Sequence, residues 1–246
     1  MRYLVVSDIH ANWEALVAVL AAAEGQYERI ICCGDLVGYG ADPNAVVDWV
    51  RARVHLVVRG NHDRAAVGLE DLDWFNPSAR TAALWTLREL TPENIAYVRA
   101  LPKGPVAGNG FHVVHGSPVD EDEYVLDKMS ALQALHYATS SLTFFGHTHV
   151  QGGFAWRRGR VEPLPHPAAE HDRRLVEFDP EAVYLLNPGS VGQPRDGDSR
   201  AAFALYDSEG GYLWLHRLSY DIEKAQTKIR RAGLPPVLAD RLSLGR

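Results

Sequence analysis

Five short apolar runs in this chain each stop at side chains that bind metals, and that repetition limits the possible folds more than any other feature. Tyr3-Leu4-Val5-Val6-Ser7 is closed by Asp8 and His10, and Arg29 to Cys33 by Gly34-Asp35. Val54 to Val58 leads into Arg59-Gly60-Asn61-His62-Asp63. Phe111 to His115 ends on a histidine, and Leu142 to Phe145 runs into Gly146-His147-Thr148-His149. Short runs rich in β-branched and aromatic residues read as buried strands. Ligand-type residues so far apart in sequence converge only if these strands lie side by side with their carboxyl ends together. The crevice beyond those ends is where open α/β sheets bind ligands.

The intervening segments fit that arrangement. Trp13, Leu16, Val17 and Leu20 form one apolar helical face, with Asn12 placed to cap it and Gly25 to end it. A second helix is expected from about Asn44 to Ala52. Strand, helix, strand, helix, strand is the pattern of a parallel α/β sheet. Residues 64–103 read as largely helical, with Asn76-Pro77 and Thr91-Pro92 as helix starts. Leu84, Leu87, Leu90, Ile95, Val98 and Leu101 are expected to supply the core faces. Another helix begins near Asp127 and covers Ala131 to Ala138. The remainder is mostly β: a hairpin of Gly153 to Trp156 with Gly159 to Val161 over Arg157-Arg158, then strands over 175–178, 183–186, 202–206 and 212–218. An amphipathic helix from Asp221 to Ala232 follows, with a short tail from Pro235 to which no element is assigned. No repeat or linker divides the 246 residues. One domain over 1–246 is expected, of α/β (α+β) class, with two packed sheets flanked by helices.

Composition excludes some roles. A net charge of -6 argues against a general nucleic-acid-coating surface. No stretch approaches the roughly 18 apolar residues of a membrane span. Met1 and Arg2 lead straight into a short strand, so no signal peptide is expected and a cytoplasmic location is. Cys32 and Cys33 are adjacent in a strand and point to opposite faces, which suits two buried small residues rather than a disulfide or metal clip.

The strand-end residues define a chemistry. Asp8, His10, Asp35, Asn61, His115, His147 and His149 combine carboxylate, amide and imidazole groups, a set suited to manganese, iron, zinc, cobalt or nickel. The lack of thiolates argues against structural zinc. These ligands are too many for one tetrahedral ion and fit two ions sharing a carboxylate; Asp35, alone in its segment, is the candidate bridge. Two ions roughly 3.5–4 Å apart would hold a hydroxide and clamp two substrate oxygens, an arrangement suited to attack on phosphorus. His62 would act beside them as general acid, with Asp63 orienting it or raising its basicity. Arg59 is either a phosphate contact or a solvated strand end. Arg195 and Arg200 lie in a polar loop that is either a surface turn or, folded back, a substrate contact. Tyr39 is placed to line the pocket, and Trp13 to pack helix on sheet. His55, His112, His136 and His216 are expected to be satisfied core residues, and His166 and His171 to lie in a surface loop.

Taken in order, D-x-H at Asp8-Ile9-His10, G-D at Gly34-Asp35, G-N-H-D at Gly60 to Asp63, His115, and G-H-x-H at Gly146 to His149 resemble the signature of the calcineurin-like metallophosphoesterases. The resemblance runs from about residue 1 to about residue 195. Asp35-Leu36-Val37-Gly38-Tyr39-Gly40 and Asn187-Pro188-Gly189-Ser190-Val191-Gly192 look like the compact bacterial and archaeal phosphodiesterase-like branch. Gly38-Tyr39-Gly40 stands where Ser/Thr protein phosphatases carry an acidic residue and an arginine, which counts against that type. The resemblance implies a four-layer αββα sandwich of two mixed sheets. It implies one metal held by Asp8, His10, Asp35 and His149, a second by Asp35, Asn61, His115 and His147, and His62 as catalytic acid. The expected activity is hydrolysis of a phosphomonoester or phosphodiester by a metal-bridging hydroxide, without a covalent intermediate. Manganese is the first choice in vitro, and the expected partner is a small phosphoester or nucleotide. The alternative is a non-catalytic nucleotide sensor or scaffold on the same fold; the intact ligand set favours catalysis.

Overall fold

The computed structural model describes residues 1–168 and 171–246. Strand β1 (Arg2–Val6) shows how its layers arise. Successive side chains of a strand point to opposite faces. Leu4 and Val6 join one apolar core, while Tyr3 and Val5 join another. Strand β2 (Arg29–Cys32) repeats the division, with Ile30 and Cys32 on one side and Ile31 and, just beyond it, Cys33 on the other. The two cysteines are therefore buried, free and on opposite faces, as expected.

The strand order of the first sheet, β3-β2-β1-β11-β12-β9, places β1 near its centre. Its other members are β3 (Leu56–Val57), β9 (Arg173–Glu177), β11 (Ala201–Asp207) and β12 (Tyr212–Leu218). The second sheet, β4-β5-β6-β10-β7-β8, comprises β4 (Val106–Ala107), β5 (His112–Val113), β6 (Leu142–Phe144), β7 (Gly152–Arg157), β8 (Arg160–Pro163) and β10 (Val183–Asn187). Both sheets are mixed. β1, β2 and β3 run parallel, as do β5, β6 and β10. β1 pairs antiparallel with β11, and β10 with β7.

Leu142, Phe144, Tyr184 and Leu186 of the second sheet meet Tyr3, Val5 and Ile31 of the first in one core. Helices α1 (Trp13–Ala23), α2 (Pro43–Arg53) and α5 (Pro92–Arg99) cover the outer face of the first sheet. Helix α6 (Lys128–His136) covers the second through Ala131, Ala134 and Leu135 on Phe145 and Leu185. The result is the expected helix–sheet–sheet–helix sandwich.

Local signals placed the helix starts well. Asn12, Asn76 and Asp127 accept backbone N–H bonds at the heads of α1, α4 (Pro77–Glu89) and α6, and Thr91 does so for α5. Four expectations need correction. β3 is only two residues long and half-buried, because it is the edge of its sheet. Leu84 is 39% exposed. The buried face of α4 is Ala79, Ala82, Ala83 and Thr86, small residues that let it approach its neighbours closely. The hairpin turns over Arg158-Gly159, both at positive φ, because Arg157 pairs with Arg160. The unassigned tail forms α8 (Pro236–Asp240) and a 3-10 turn; with α7 (Ile222–Arg231) it builds a separate cluster on Tyr39.

Candidate metal centre

The parallel strands of both sheets end at one place, and backbone hydrogen bonds lock their exits together. The Asp8 and His10 N–H groups donate to Gly34 O and Asp35 O, at 3.0 Å each. Gly146 N donates to His115 O at 2.8 Å. His147 N donates to the Asp8 carboxylate at 3.1 Å, which ties one sheet to the other. The segment after β10 completes the lock. Asn187 Nδ2 donates to Gly146 O at 2.9 Å, and Ser190 Oγ donates to Asp8 O at 2.8 Å. In sequence, Asn187 to Gly192 carries only a resemblance; in space this segment staples two of the ligand loops.

These exits are strained. Asp8, His10, Ala11, Asp35, Tyr39, His147 and His149 all have positive φ, leaving Arg158 as the other non-glycine case among the described residues. Such conformations are uncommon outside glycine and concentrate at functional sites. Here they turn ligand side chains inward immediately after the strands.

The side chains form two adjoining groups of buried donors. Asp8, His10, Asp35 and His149 make one, and Asp35, His115 and His147 the other, with the ligand atoms of each group within 4.8 Å of one another. Asn61 joins the second, its Oδ1 3.3 Å from His115 Nε2. Asp35 is common to both. Its Oδ2 lies 3.6 Å from His10 Nε2 and 3.4 Å from His115 Nε2, and has no hydrogen-bond partner.

Hydrogen bonding on the far side of each ring decides what the near side presents. His10 Nδ1 faces Val37 O at 3.0 Å, His115 Nδ1 faces Cys33 O at 2.7 Å, and His149 Nδ1 faces Gln193 O at 2.6 Å. A carbonyl only accepts, so each Nδ1 carries the hydrogen and each Nε2 turns a lone pair inward. His147 is reversed. Its Nε2 faces Asp122 O at 3.1 Å, so Nδ1 points into the site. The lone pairs then crowd one another, with 3.0 Å between His10 Nε2 and His149 Nε2 and 3.2 Å between His147 Nδ1 and His115 Nε2. Buried acceptors packed this closely call for positive charge between them, from a proton or a bound cation. The carboxylate, amide and imidazole donors suit a borderline divalent metal.

The same crowding sets the protonation of the metal-free site. Burial pushes His62 down to about 4 and His147 down to about 3. His10 and His149 are lowered, again chiefly by burial. His115 goes the other way: burial opposes its charge, but the Asp35 carboxylate overrides it and lifts the ring to about 10. A proton on His115 thus meets part of the demand for positive charge.

The calcineurin-like phosphoesterase superfamily domain matches residues 1–211. The chain belongs to this superfamily. It is 35% identical, over 254 aligned residues covering 98% of this chain and 97% of the other, to the uncharacterized protein MJ0912 of Methanocaldococcus jannaschii. The crystal structure of a metallophosphoesterase from Sphaerobacter thermophilus superposes with a TM-score of 0.87 at 39% identity, covering 100% of this chain and 99% of that one. The hypothetical protein PH1004 of Pyrococcus horikoshii OT3 shares the fold, with a TM-score of 0.78 at 20% identity over 100% of this chain and 98% of that one. No helix among the described residues is long and apolar enough to cross a membrane.

The remaining candidates are placed as follows. His62 sits in the first turn of α3 (Asn61–Ala66), lines a cavity beside the donor groups, and leaves Nδ1 without a partner. Asp63 does not orient it. Its Oδ1 accepts from Leu36 N at 2.9 Å and Val37 N at 3.3 Å, and its Oδ2 from Gly60 N at 2.9 Å. Neighbouring residues on a helix project in different directions, so the carboxylate serves the loop after Asp35 instead. Arg59 is held by Glu121 through two bonds of 2.9 Å and takes no part in the donor groups. Tyr39 packs on His62 and His10, with ring centroids 4.3 and 4.6 Å apart.

Arg195 is half-buried beside the site. It donates to Tyr39 Oη at 3.3 Å and keeps a buried Nε without a partner. Arg200 is taken by Asp198 and Asp172. His55 and His136 are exposed, and His112 and His216 only half-buried, so none of the four is the core residue expected. Each lies on an outer edge or surface face whose burial depends on tertiary covering. Trp13 packs partly buried against the core under α1, as expected.

Proposed function

We propose that this family member is a binuclear metal-dependent phosphoesterase. The observation that carries the reading is the pair of donor groups sharing Asp35, whose inward lone pairs and carboxylate oxygens call for two cations. When bound, a divalent pair supplies an activated water as nucleophile and offsets charge on the phosphoryl oxygens. The chain does the rest. Carbonyls of Val37, Cys33, Gln193 and Asp122 hold each ring at its working orientation. Arg195, placed beside the site at Tyr39 Oη, supplies a guanidinium for a phosphate oxygen.

His62 gives its proton to the departing oxygen. Burial disfavours its charged form, Asp35 favours it, and Arg195 disfavours it. A phosphate anion beside the ring tips that balance, so His62 takes its proton as substrate binds.

The test uses manganese-loaded protein with bis(p-nitrophenyl) phosphate and a panel of phosphomonoesters and diesters. His62→Ala should lower turnover about 100-fold or more and leave metal content intact. Asp35→Ala should strip the metal. Metal-replete protein that hydrolyses nothing in the panel overturns the reading, and tight nucleotide binding without product would mark a sensor instead.

A further inference from the structure

A cavity of about 420 Å³ opens directly beside the donor groups. Asn61, His62 and His147 form its inner wall. Its outer wall is aromatic. Trp74 ends a 3-10 turn, Leu72–Trp74, and is 87% exposed at the rim. Phe75 meets His62 edge-on at 5.2 Å, and Tyr124 lies over His147 with ring centroids 3.9 Å apart. These rings come from two separate segments, 72–75 and 124. Arg64, only 6% exposed, ties together the residues that lead into these two segments: it bonds Glu70 at 2.5 Å, Glu121 at 2.9 Å and Asp122 at 2.7 Å. The wall is therefore held in place.

The charges around the cavity select among occupants. Arg64 is its cation, and Glu70 and Asp122, its two carboxylates, already engage that cation. Nothing positive is left there for a second phosphate. Arg195 is not among its lining residues, and its guanidinium is engaged by Tyr39 Oη and Gln193 Oε1. The cavity is thus suited to the uncharged organic part of an ester. The acid candidate His62 stands in its wall, so the group on the departing oxygen is the one that extends into it.

Resting on the phosphoesterase reading, we propose that this cavity is a nucleoside subsite, with the base stacked on Trp74 and bordered by Phe75 and Tyr124. Base–aromatic stacking tolerates any base, because every base has a π face. The favoured substrates are nucleotides carrying the scissile phosphate and no additional phosphate in the cavity.

The experiment uses full-length manganese-loaded protein. Adenosine 5′-phosphate and ribose 5-phosphate, which differ by the base, compete against bis(p-nitrophenyl) phosphate. Adenosine 5′-phosphate should inhibit about tenfold more tightly. Trp74→Ala should erase most of that difference and leave inhibition by ribose 5-phosphate within twofold; Trp74→Phe should keep it. Equal inhibition by both compounds in the native protein, inhibition by neither, or equal weakening of both in Trp74→Ala overturns the subsite. Absence of hydrolysis of the reporter refutes the phosphoesterase reading instead. Fluorescence then decides the subsite: adenosine 5′-phosphate should quench tryptophan emission, and that quenching should vanish in Trp74→Phe. Quenching unchanged in Trp74→Phe overturns it.

Discussion

Gly60→Ala measures how tightly the shared carboxylate is wedged. Gly60 has φ -106° and ψ 177°, a backbone that alanine adopts without strain. Any effect must therefore come from the added methyl. A Cβ at that position would stand 2.1 Å from Asp35 Oδ1 and 2.6 Å from Asp35 N. Ordinary contact begins at 3.4 Å, so the first of these falls about 1.3 Å short. Asp35 has little freedom to retreat. Its Oδ1 accepts from His62 N at 2.9 Å, and its carbonyl accepts from His10 N at 3.0 Å. Overpacking of this kind costs about 1–3 kcal/mol. Displacing a metal-site carboxylate by about 1 Å costs on the order of 100-fold in rate. Urea unfolding of EDTA-treated protein should show the stability loss, elemental analysis should show metal content per chain at least halved, and turnover should fall by about 100-fold. Native stability together with native metal content would refute the argument.

Three further outcomes are expected. Asp63→Asn turns an amide nitrogen toward backbone donors and should cost about 2 kcal/mol with loss of metal, leaving the acid limb of the pH–rate profile in place. A shift of that limb by a full unit at unchanged stability would show instead that Asp63 acts on His62. Arg64→Ala leaves Glu70 and Asp122 without their cation and should destabilise by about 2–3 kcal/mol in urea titration; a loss within about 0.5 kcal/mol refutes the clamp. In EDTA-treated protein, His62 and His147 have folded-state values of about 4 and about 3, below the ordinary 6.5, so their contribution is complete above pH 6.5 and is lost as pH falls. The slope is about 1.4 kcal/mol per pH unit for each. His115, lifted to about 10, has the opposite sign: its contribution is complete below pH 6.5 and is lost as pH rises through 10. Metal-free stability should peak near pH 6.5, and a maximum above pH 8.5 in urea titrations would refute the assignment.

Much of this protein is local in origin and was legible in the chain. Short apolar runs of alternating face made β1 and β2, and Asn12, Asn76, Thr91 and Asp127 marked the helix starts, because periodicity and capping act over a few residues. The order and chemical types of Asp8, His10, Asp35, Asn61, His115, His147 and His149 determined that their strands must converge. Contacts decided the rest. The reversed ring of His147 depends on Asp122 O, the duty of Asp63 on the amides of Leu36 and Val37, and the engagement of Arg59 on Glu121. Trp74 stands in a wall whose two segments follow Glu70 and Asp122, residues that Arg64 ties together. Those partners lie tens of residues apart, or face one another across a loop. A side chain's chemistry says what it can bond, but only chain closure determines what comes within reach.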